Sequence, residues 1–469
     1  MFEQIGNFGD SIALVDERNF EISYLTLYQE SLCIAENLKE NSIVVIGTSN
    51  TKNSLIEYIA CLIAKATPLL LSASLENSKL ERYVIEFDPD LVFGFEGHEN
   101  LINHGFQKIE FGLGIFALKK RGNVVPQSIT SALLLTTSGS TGNPQVVRIS
   151  DQNLLSNTES IIDSIGLEKS STAITTLPMF YTYGLSIINT HLLAGAKIVL
   201  SDHSVASRKF WSLIVERNVT TFGGVPLTYE LVNRFGPNIL KGTKINSLTQ
   251  AGGGMKIDQI KKLLEVADGN DATLWLMYGQ TEATARMSVF NQSQNRSRLG
   301  SVGMPIRGGR FEILDQSGQE ISNSNVEGDL VYYGPNVSMG YATSRKDLFE
   351  GDMNGGRLCT GDTACFDSEG FFYITGRKSR FAKISGKRFN LDDIEDWLMR
   401  ISVEAACVEE DQKLAVFYCT MIDQRKLKTR ILSEFGIGSQ QVLLEHIDVI
   451  PRSSSGKTLY GQLREHLLQ

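Results

Sequence analysis

The most informative segment of the sequence is Leu133–Ser150, LLLTTSGSTGNPQVVRIS. The apolar run Leu133–Leu135 predicts a strand, and Val146–Ile149 predicts a second one. Hydroxyl-bearing and glycine residues fill the loop between them: Thr136, Thr137, Ser138, Gly139, Ser140, Thr141 and Gly142. The backbone N–H groups of such small residues can surround an anion, and phosphate is the natural guest. The alternative is a flexible Ser/Gly linker, but strands this close on both sides favour a phosphate loop.

The loop does not have the Walker pattern, because no glycine lies five residues before either Gly-Lys pair. Outward from it, short apolar runs alternate with longer helical patterns. The predicted strands are Ser42–Gly47, Leu69–Leu71, Leu91–Gly94, Ala173–Thr176, Lys197–Leu200, Thr220–Gly223 and Thr273–Met277. A helix is predicted over Lys52–Lys65. This alternation indicates an α/β fold, with parallel sheets covered by helices.

Beyond Gly300 the pattern changes to short strands separated by Gly and Asp turns, at Gly308–Asp315, Glu327–Tyr333 and Gly370–Thr375. These predict a small β subdomain. From residue 376 to residue 469, 15 basic and 13 acidic residues give a local charge of +2, whereas the remainder carries 30 − 40 = −10. A mildly basic C-terminal module on an acidic body suggests a separate lid. We expect this lid to be a small α+β domain.

Composition excludes several classes of protein. With 42% apolar and 21% charged residues among 469, the chain can build a large core and is not disordered. Its net charge of −8 argues against general nucleic-acid binding. The most apolar stretch, Ile56–Leu75, is interrupted by Glu57, Lys65 and Pro68, so no membrane span is expected. Six cysteines without C-x-x-C spacing, and an N-terminus without a basic region, predict a cytoplasmic protein with reduced thiols.

Three further segments carry residues suited to nucleotide chemistry. In Leu276–Met287, LMYGQTEATARM, the Tyr278 ring can stack on a base, the Thr281 hydroxyl can bind an oxyanion, and the Glu282 carboxylate suits Mg²⁺. Asp362, in a Thr-Gly-Asp turn, could hold two ribose hydroxyls. Lys457 ends the segment PRSSSGK. Taken singly, each has an ordinary alternative: a solvated glutamate, a turn-forming aspartate and a surface lysine.

In this order, the four segments resemble the adenylate-forming superfamily of acyl-CoA synthetases, carrier-protein-loading adenylation enzymes and luciferase-like enzymes. Leu177–Leu185 is similar to that family's acyl-pocket segment, Leu248–Met255 to its adenine-lining turn, and Tyr278–Glu282 to its Tyr-Gly-x-Thr-Glu signature. Glu327–Tyr341 is similar to its β-subdomain turn.

The resemblance implies a domain organisation and a set of site residues. It implies an N-terminal adenylation domain over residues 1–375, with its β subdomain at about 300–375, a hinge at 376–380 and a mobile C-terminal domain over 381–469. It assigns nucleotide binding to Thr137, Ser138, Gly139, Ser140, Thr141, Gly142, Gly253, Gly254, Met255, Tyr278, Gly279, Gln280, Asp362 and Arg377. It assigns the acyl pocket to Tyr181, Tyr183, Gly184 and Leu185, and catalysis to Lys457, Glu282 and Thr281.

The implied reaction joins a carboxylic acid to AMP from ATP, with release of pyrophosphate, and then transfers the acyl group to a phosphopantetheine thiol. Lys457 would neutralise the substrate carboxylate and the α-phosphate, and Glu282 would hold Mg²⁺. The thiol would come from CoA or from an acyl carrier protein, and would dock near Gly386, Lys387 and Lys383. The basic residues Lys378, Arg380 and Arg388 extend that cluster, which could attract a polyanion.

Several positions depart from the family pattern and leave alternatives open. Gln145 replaces the lysine that commonly ends the phosphate loop, and Arg148 is expected to point to the opposite face of its strand. Tyr181, Ser379 and Tyr460 also differ from the common residues. Thr182 stands where amino-acid-activating relatives have an aspartate, so the expected acid lacks an α-amino group. A catalytically impaired nucleotide-binding relative and a luciferase-like oxidoreductase are the alternatives. The sequence does not decide the acid, the thiol acceptor or the oligomeric state.

Overall fold

The computed structural model describes residues 1–95, 99–111, 115–120, 129–136, 145–384, 387–411, 413–453 and 458–467. The strands in these ranges, in chain order, are β1 (Ile12–Val15), β2 (Glu21–Ser23), β3 (Ile43–Thr48), β4 (Thr67–Ser72), β5 (Leu91–Phe93), β6 (Phe106–Glu110), β7 (Phe116–Lys120), β8 (Leu133–Thr136), β9 (Val146–Ile149), β10 (Thr172–Ile174), β11 (Lys197–Val199), β12 (Thr221–Gly224), β13 (Ser247–Gln250), β14 (Thr273–Tyr278), β15 (Ser288–Asn291), β16 (Arg310–Leu314), β17 (Gly328–Tyr333), β18 (Tyr341–Ala342), β19 (Arg357–Phe366), β20 (Phe372–Arg377), β21 (Phe381–Ile384), β22 (Lys387–Asn390), β23 (Ala405–Glu410), β24 (Lys413–Tyr418) and β25 (Val442–His446).

The α-helices in the same ranges are α1 (Tyr24–Ala35), α2 (Lys52–Ile63), α3 (Asn77–Phe87), α4 (Asp151–Ile165), α5 (Thr182–Leu193), α6 (Arg208–Glu216), α7 (Pro226–Phe235), α8 (Ile257–Asp268), α9 (Leu391–Arg400), α10 (Gln424–Phe435) and α11 (Tyr460–Leu467). Side-chain caps begin several of them. Ser150, for example, accepts a hydrogen bond from the backbone N–H of Asn153 and so starts α4. No α-helix in the described ranges combines the length and the apolar composition needed to cross a bilayer.

The chain folds into two compact units. Among the described residues, the first unit comprises those within 1–136, 145–311 and 332–358, and it contains two eight-stranded sheets. In one sheet the strand order is β15-β14-β13-β12-β10-β11-β1-β2, and in the other it is β18-β9-β8-β4-β3-β5-β7-β6. In the first sheet, β10 pairs in parallel with β11 and with β12, β12 with β13, and β13 with β14. In the second sheet, β3 pairs in parallel with β4 and with β5, and β4 pairs in parallel with β8. The largest apolar cluster of this unit draws on α1, α2, α5 and strands of both sheets.

Among the described residues, the second unit comprises those within 312–331 and 359–467. Most of the four-stranded sheet β16-β17-β19-β20 belongs to it, as do the hairpin β21-β22 and the sheet β23-β24-β25. Helices α9 and α10 pack on this last sheet through an apolar cluster that includes Leu398, Val416 and Leu427. The predicted α/β class and the predicted strands are confirmed, because each predicted strand from Ser42 to Tyr333 overlaps an observed one. The predicted domain limits remain a prediction.

Candidate active site

The predicted site segments of the first unit follow the carboxyl ends of neighbouring parallel strands. The Gly turn follows β13, the Tyr-Gly-Gln-Thr-Glu segment begins at the end of β14, and the segment before α5 follows β10. Gly224, Gln250 and Leu276 are aligned across β12, β13 and β14. Strand ends in register emerge at one edge of a sheet, which is where α/β proteins bind ligands.

The Gly turn leaves β13 with its backbone close to an aromatic hydroxyl. Gly252 has φ +83°, and a Cβ there would lie 2.5 Å from the Tyr181 Oη. Only glycine fits this position, because both the conformation and the space exclude a side chain. The Gln250 side-chain amide donates to the Gly253 carbonyl at 2.8 Å, and Gly253 and Gly254 are exposed. The turn therefore presents backbone to solvent, as a surface for a flat base requires.

The signature segment is held by a close backbone crossing. Tyr278 ends β14, and a Cβ on Gly279 would lie 2.0 Å from the Ala285 carbonyl oxygen. Thr284 has φ +55° and Ala285 has φ +117°, the latter an unusual conformation for a residue with a side chain. Such local strain persists only where the surrounding structure enforces it, and it is common at functional sites.

Two predicted site residues make short side-chain hydrogen bonds within the first unit. The hydroxyls of Thr281 and Thr182 lie 2.7 Å apart, which joins the signature segment to the predicted acyl-pocket segment. Tyr341 donates to the Glu282 Oε1 at 2.6 Å. Burial, and then the nearby Glu282 charge, raise the pKa of the Tyr341 hydroxyl, so it remains the donor. Both contacts position groups that the sequence assigned to catalysis.

The predicted acyl-pocket residues lie around the first turn of α5. Tyr183 is buried, and its hydroxyl donates to the Thr249 carbonyl at 2.6 Å. A Cβ on Gly184 would lie 2.3 Å from the Pro178 carbonyl oxygen, so this glycine allows close packing of the helix. Tyr181 and Tyr183 belong to one apolar cluster, with Leu177, Val225 and Met277. Leu185 belongs to a different apolar cluster, the main core.

Arg286 lies next to this pair of segments, and no motif in the sequence singled it out. Its side chain is only 3% exposed, and its guanidinium lies 4.0 Å from the centre of the Tyr183 ring. Burial lowers the pKa of Arg286, and the neighbouring Tyr183 and Tyr181 oppose that shift. The available signal was a single charged residue inside the otherwise uncharged run Ala283–Val289, ATARMSV.

Arg148 does not replace the lysine missing at the end of the phosphate loop. Its side chain is fully buried and donates to the carbonyls of Glu350, Met339 and Gly351 at 2.7, 2.9 and 3.1 Å. The guanidinium therefore ties together the segments before and after β18 in the same unit. The expectation that Arg148 and Gln145 point to opposite faces remains a prediction, because β9 begins at Val146.

In the second unit, the predicted ribose-binding residues form an ion pair. Asp362 on β19 is opposite Arg377 on β20, and the Arg377 Nε donates to the Asp362 Oδ1 at 2.8 Å. Asp362 is 2% exposed. The prediction that Asp362 lies in a turn is wrong, because β19 continues from Arg357 to Phe366. Gly361 adopts φ +76° within the strand, and so permits a local distortion without ending the strand.

The hinge region and the C-terminal helix of this unit are joined by a buried arginine. Arg380 bonds Asp392 and Glu395, donates to the Cys407 carbonyl, and stacks 3.8 Å from the centre of the Tyr460 ring. Burial would lower the pKa of Arg380, but the charge of Glu395, together with Tyr460 and Asp392, raises it. The expectation that Arg380 attracts a polyanion is therefore wrong, because its charge is neutralised inside the unit. Lys378 is likewise paired with Asp329.

Some predicted site residues lie outside the described residues. These are Thr137, Ser138, Gly139, Ser140, Thr141, Gly142, Gly386 and Lys457. Lys383 and Lys387 belong to β21 and β22, but their side chains also lie outside the described part of the chain. Their assignments remain predictions.

A sequence model of a family described as AMP-binding enzyme matches residues 1–342. The chain belongs to this family. The match confirms the resemblance inferred from the motifs. The chain is 23% identical to oxalate–CoA ligase from Arabidopsis thaliana, over 98% of this chain and 96% of that enzyme.

Solved structures confirm the fold of this AMP-binding enzyme. The o-succinylbenzoate CoA synthetase of Bacillus subtilis, in complex with its acyl-adenylate intermediate, superimposes with a TM-score of 0.80 at 19% identity, covering 99% of this chain and 97% of that one. The same synthetase with ATP and magnesium ion gives a TM-score of 0.79 at 19% identity, over 99% and 98%. At these identities the likeness establishes the fold, a large N-terminal domain of mixed sheets with a small α+β C-terminal domain.

Proposed function

We propose that this chain is an AMP-forming carboxylate–thiol ligase, which converts a carboxylic acid and ATP into an acyl-adenylate and then passes the acyl group to a thiol. The observation that carries the proposal is the hydrogen bond between Thr182 and Thr281. It joins the acyl-pocket segment to the nucleotide signature at the carboxyl edge of one sheet. Membership of the AMP-binding family and the likeness to CoA ligases support it.

The chemistry explains why the site needs these residue types. A carboxylate and a triphosphate repel each other, so the enzyme must neutralise charge and align the attacking oxygen with the α-phosphorus. Lys457 is assigned this role, since a compact cation can lie between the carboxylate and the α-phosphate. Thr281 can donate its proton to an oxyanion while it accepts the proton of Thr182, because each hydroxyl has one donor and free lone pairs.

Glu282 fits a role as a magnesium ligand. One carboxylate oxygen accepts from Tyr341, and the other carries no hydrogen bond in the described part of the chain. Mg²⁺ is commonly held by one or two carboxylates, with phosphates and water completing its shell. Glu282 would hold the ion, which neutralises charge on the β- and γ-phosphates when bound. The phosphate loop, Thr137–Gly142, is assigned the remaining phosphate contacts.

The nucleoside is assigned to the Gly turn, Tyr278 and Asp362. Gly253 and Gly254 are exposed, so their backbone and that of Met255 are assigned contacts with adenine, and the ring of Tyr278 is assigned to stack on the base. Asp362 is paired with Arg377, and a buried carboxylate oxygen is a strong acceptor for ribose hydroxyls.

The acid is expected to lack an α-amino group. The position assigned to an ammonium-binding aspartate is Thr182, whose hydroxyl is already paired with Thr281. A neutral hydroxyl does not offset the cost of burying an ammonium group. Acid-dependent ATP–pyrophosphate exchange across a panel of carboxylic and amino acids tests both points. Exchange that is strongest with an amino acid contradicts the assignment, and no exchange with any acid contradicts adenylation.

The thiol acceptor is proposed to be a phosphopantetheine arm, on CoA or on an acyl carrier protein. Named CoA ligases among the relatives favour CoA. With Arg380 buried and paired with two carboxylates, the docking role is assigned to Lys383 and Lys387. Single-turnover transfer from preformed acyl-AMP to CoA and to holo-carrier proteins decides the acceptor. Lys383→Glu and Lys387→Glu should slow transfer, and unchanged transfer in both variants removes the docking role.

A further inference from the structure

Arg286 is a fully buried cation whose described partners are all neutral. Its Nε lies 3.2 Å from the Met277 sulfur, its Nη1 donates to the Ala285 carbonyl at 3.0 Å, and its Nη2 lies 3.5 Å from the Ser186 hydroxyl. A thioether is a weak acceptor, and 3.5 Å is at the limit of a hydrogen bond. None of these partners is a carboxylate.

A buried charge without a counter-charge is costly, so proteins rarely retain one without a use. The backbone that leads to Arg286 adds a conformational cost to that of burying the charge. The two preceding residues, Thr284 and Ala285, both have positive φ, and Ala285 is pressed against Gly279. This contact fixes the position of Arg286 relative to the signature segment. Backbone strain of this kind is typical of functional sites.

The guanidinium faces the residues assigned to the acid. It stacks on Tyr183 and is close enough to Tyr181 for their charges to interact. Both tyrosines flank Thr182, which bonds Thr281 of the signature. An anion reaching Arg286 would therefore lie on the acyl side of the site, away from the reacting carboxylate near Thr281.

We propose that Arg286 binds a second carboxylate of the substrate, so that the acid activated by this enzyme is a dicarboxylic acid. The inference rests on the proposed adenylation. A carboxylate would replace the weak acceptors at Nε and Nη2 with two charge-assisted hydrogen bonds in the planar geometry that a guanidinium favours. The second charge would supply the missing counter-ion, and a monocarboxylic acid would leave Arg286 uncompensated.

The test compares each di-acid with its monoamide, which has nearly the same size but a neutral far end. Oxalate, malonate, succinate, glutarate and phthalate are suitable probes. ATP–pyrophosphate exchange and calorimetric binding are both measured, with the wild-type chain and with Arg286→Met. The wild type should prefer at least one di-acid over its monoamide by about 10- to 100-fold, and Arg286→Met should abolish that preference.

Arg148→Met is the matched control, because Arg148 is equally buried in the same unit but donates only to backbone carbonyls. It should keep the wild-type preference even if it melts at a lower temperature. The inference is overturned if no di-acid is preferred in either assay, or if Arg286→Met retains the preference. Exchange that is absent with every acid defeats the proposed function instead, and binding then decides the role of Arg286.

Discussion

Among the residues that the structure describes, the first unit buries two arginines almost completely, yet their surroundings differ. Arg148 is 0% exposed, and its Nη1 and Nη2 donate to three backbone carbonyls, one before β18 and two after it. Arg286 is 3% exposed, and it contacts a sulfur, a distant hydroxyl, one carbonyl and an aromatic ring. Burial is therefore the same, whereas the quality of the acceptors is not.

The hydrogen-bond acceptors, rather than the degree of burial, therefore distinguish a structural arginine from one that is available to a ligand. Arg380, in the second unit, supports this rule from the other side. Its two carboxylate partners, Asp392 and Glu395, satisfy it fully, and it packs against Tyr460. The two carboxylates neutralise this guanidinium, so it does not attract a further anion.

The largest effect on activity is expected at Lys457, a cation assigned to the reaction itself. Lys457→Ala should lower acid-dependent ATP–pyrophosphate exchange by about 10³-fold, because it removes the charge proposed to neutralise the reacting groups. Thiol transfer from supplied acyl-AMP should remain largely intact, since that step no longer needs the α-phosphate neutralised. Rapid-quench measurement of both half-reactions checks this, and an equal loss in both would remove Lys457 from the adenylation step.

The comparison of Arg148 with Arg286 predicts different effects on stability. Arg148→Met should lower the free energy of unfolding by about 3 kcal/mol, because three buried carbonyls lose their donor. Arg286→Met should change it by less than about 1 kcal/mol, because an apolar side chain can replace a poorly paired buried ion at little cost. Urea unfolding of both variants gives the two values. If the two losses are similar, the distinction between these arginines fails.

The sequence predicted the strands well because β-branched and apolar runs mark them locally. Ser42–Gly47 and Val146–Ile149, for example, match β3 and β9 to within a residue. The strand order was beyond reach, since pairing such as that of β1 with β11 joins distant parts of the chain. The turn expected at Asp362 was wrong because a glycine with positive φ can lie within a strand. Arg286 was missed because the burial of a charged residue depends on tertiary packing, which the local sequence does not indicate.

The close crossing that fixes Arg286 can be broken directly. In Gly279→Ala, the new Cβ would meet the Ala285 carbonyl oxygen at 2.0 Å, so the backbone before Arg286 must move. We expect a loss of about 2 kcal/mol in stability, accompanied by weaker binding of the acid. Gly351→Ala is the control, because nothing lies within 4 Å of its Cβ, and it should change stability by less than about 0.5 kcal/mol. Similar losses in the two variants would show that the crossing is not constrained.

The smallest effect is expected from loss of the hydrogen bond that Tyr341 donates to the Glu282 carboxylate. Glu282 accepts from Tyr341 at 2.6 Å, and Tyr341→Phe removes that bond while it leaves the ring in place. A carboxylate that loses a hydrogen-bond donor is less well oriented towards a metal ion. If Glu282 orients Mg²⁺, the concentration of Mg²⁺ that gives half-maximal exchange should rise by about 3- to 10-fold. Unfolding stability should change little, because Tyr341 is 41% exposed.

Tyr333→Phe offers a matched control, since the Tyr333 hydroxyl contacts Arg357 instead of Glu282. The Mg²⁺ requirement of this variant should stay at the wild-type value. A requirement unchanged in Tyr341→Phe would mean that this hydrogen bond does not position the metal ligand, whereas an equal rise in both variants would point to a general loss of the subdomain's packing.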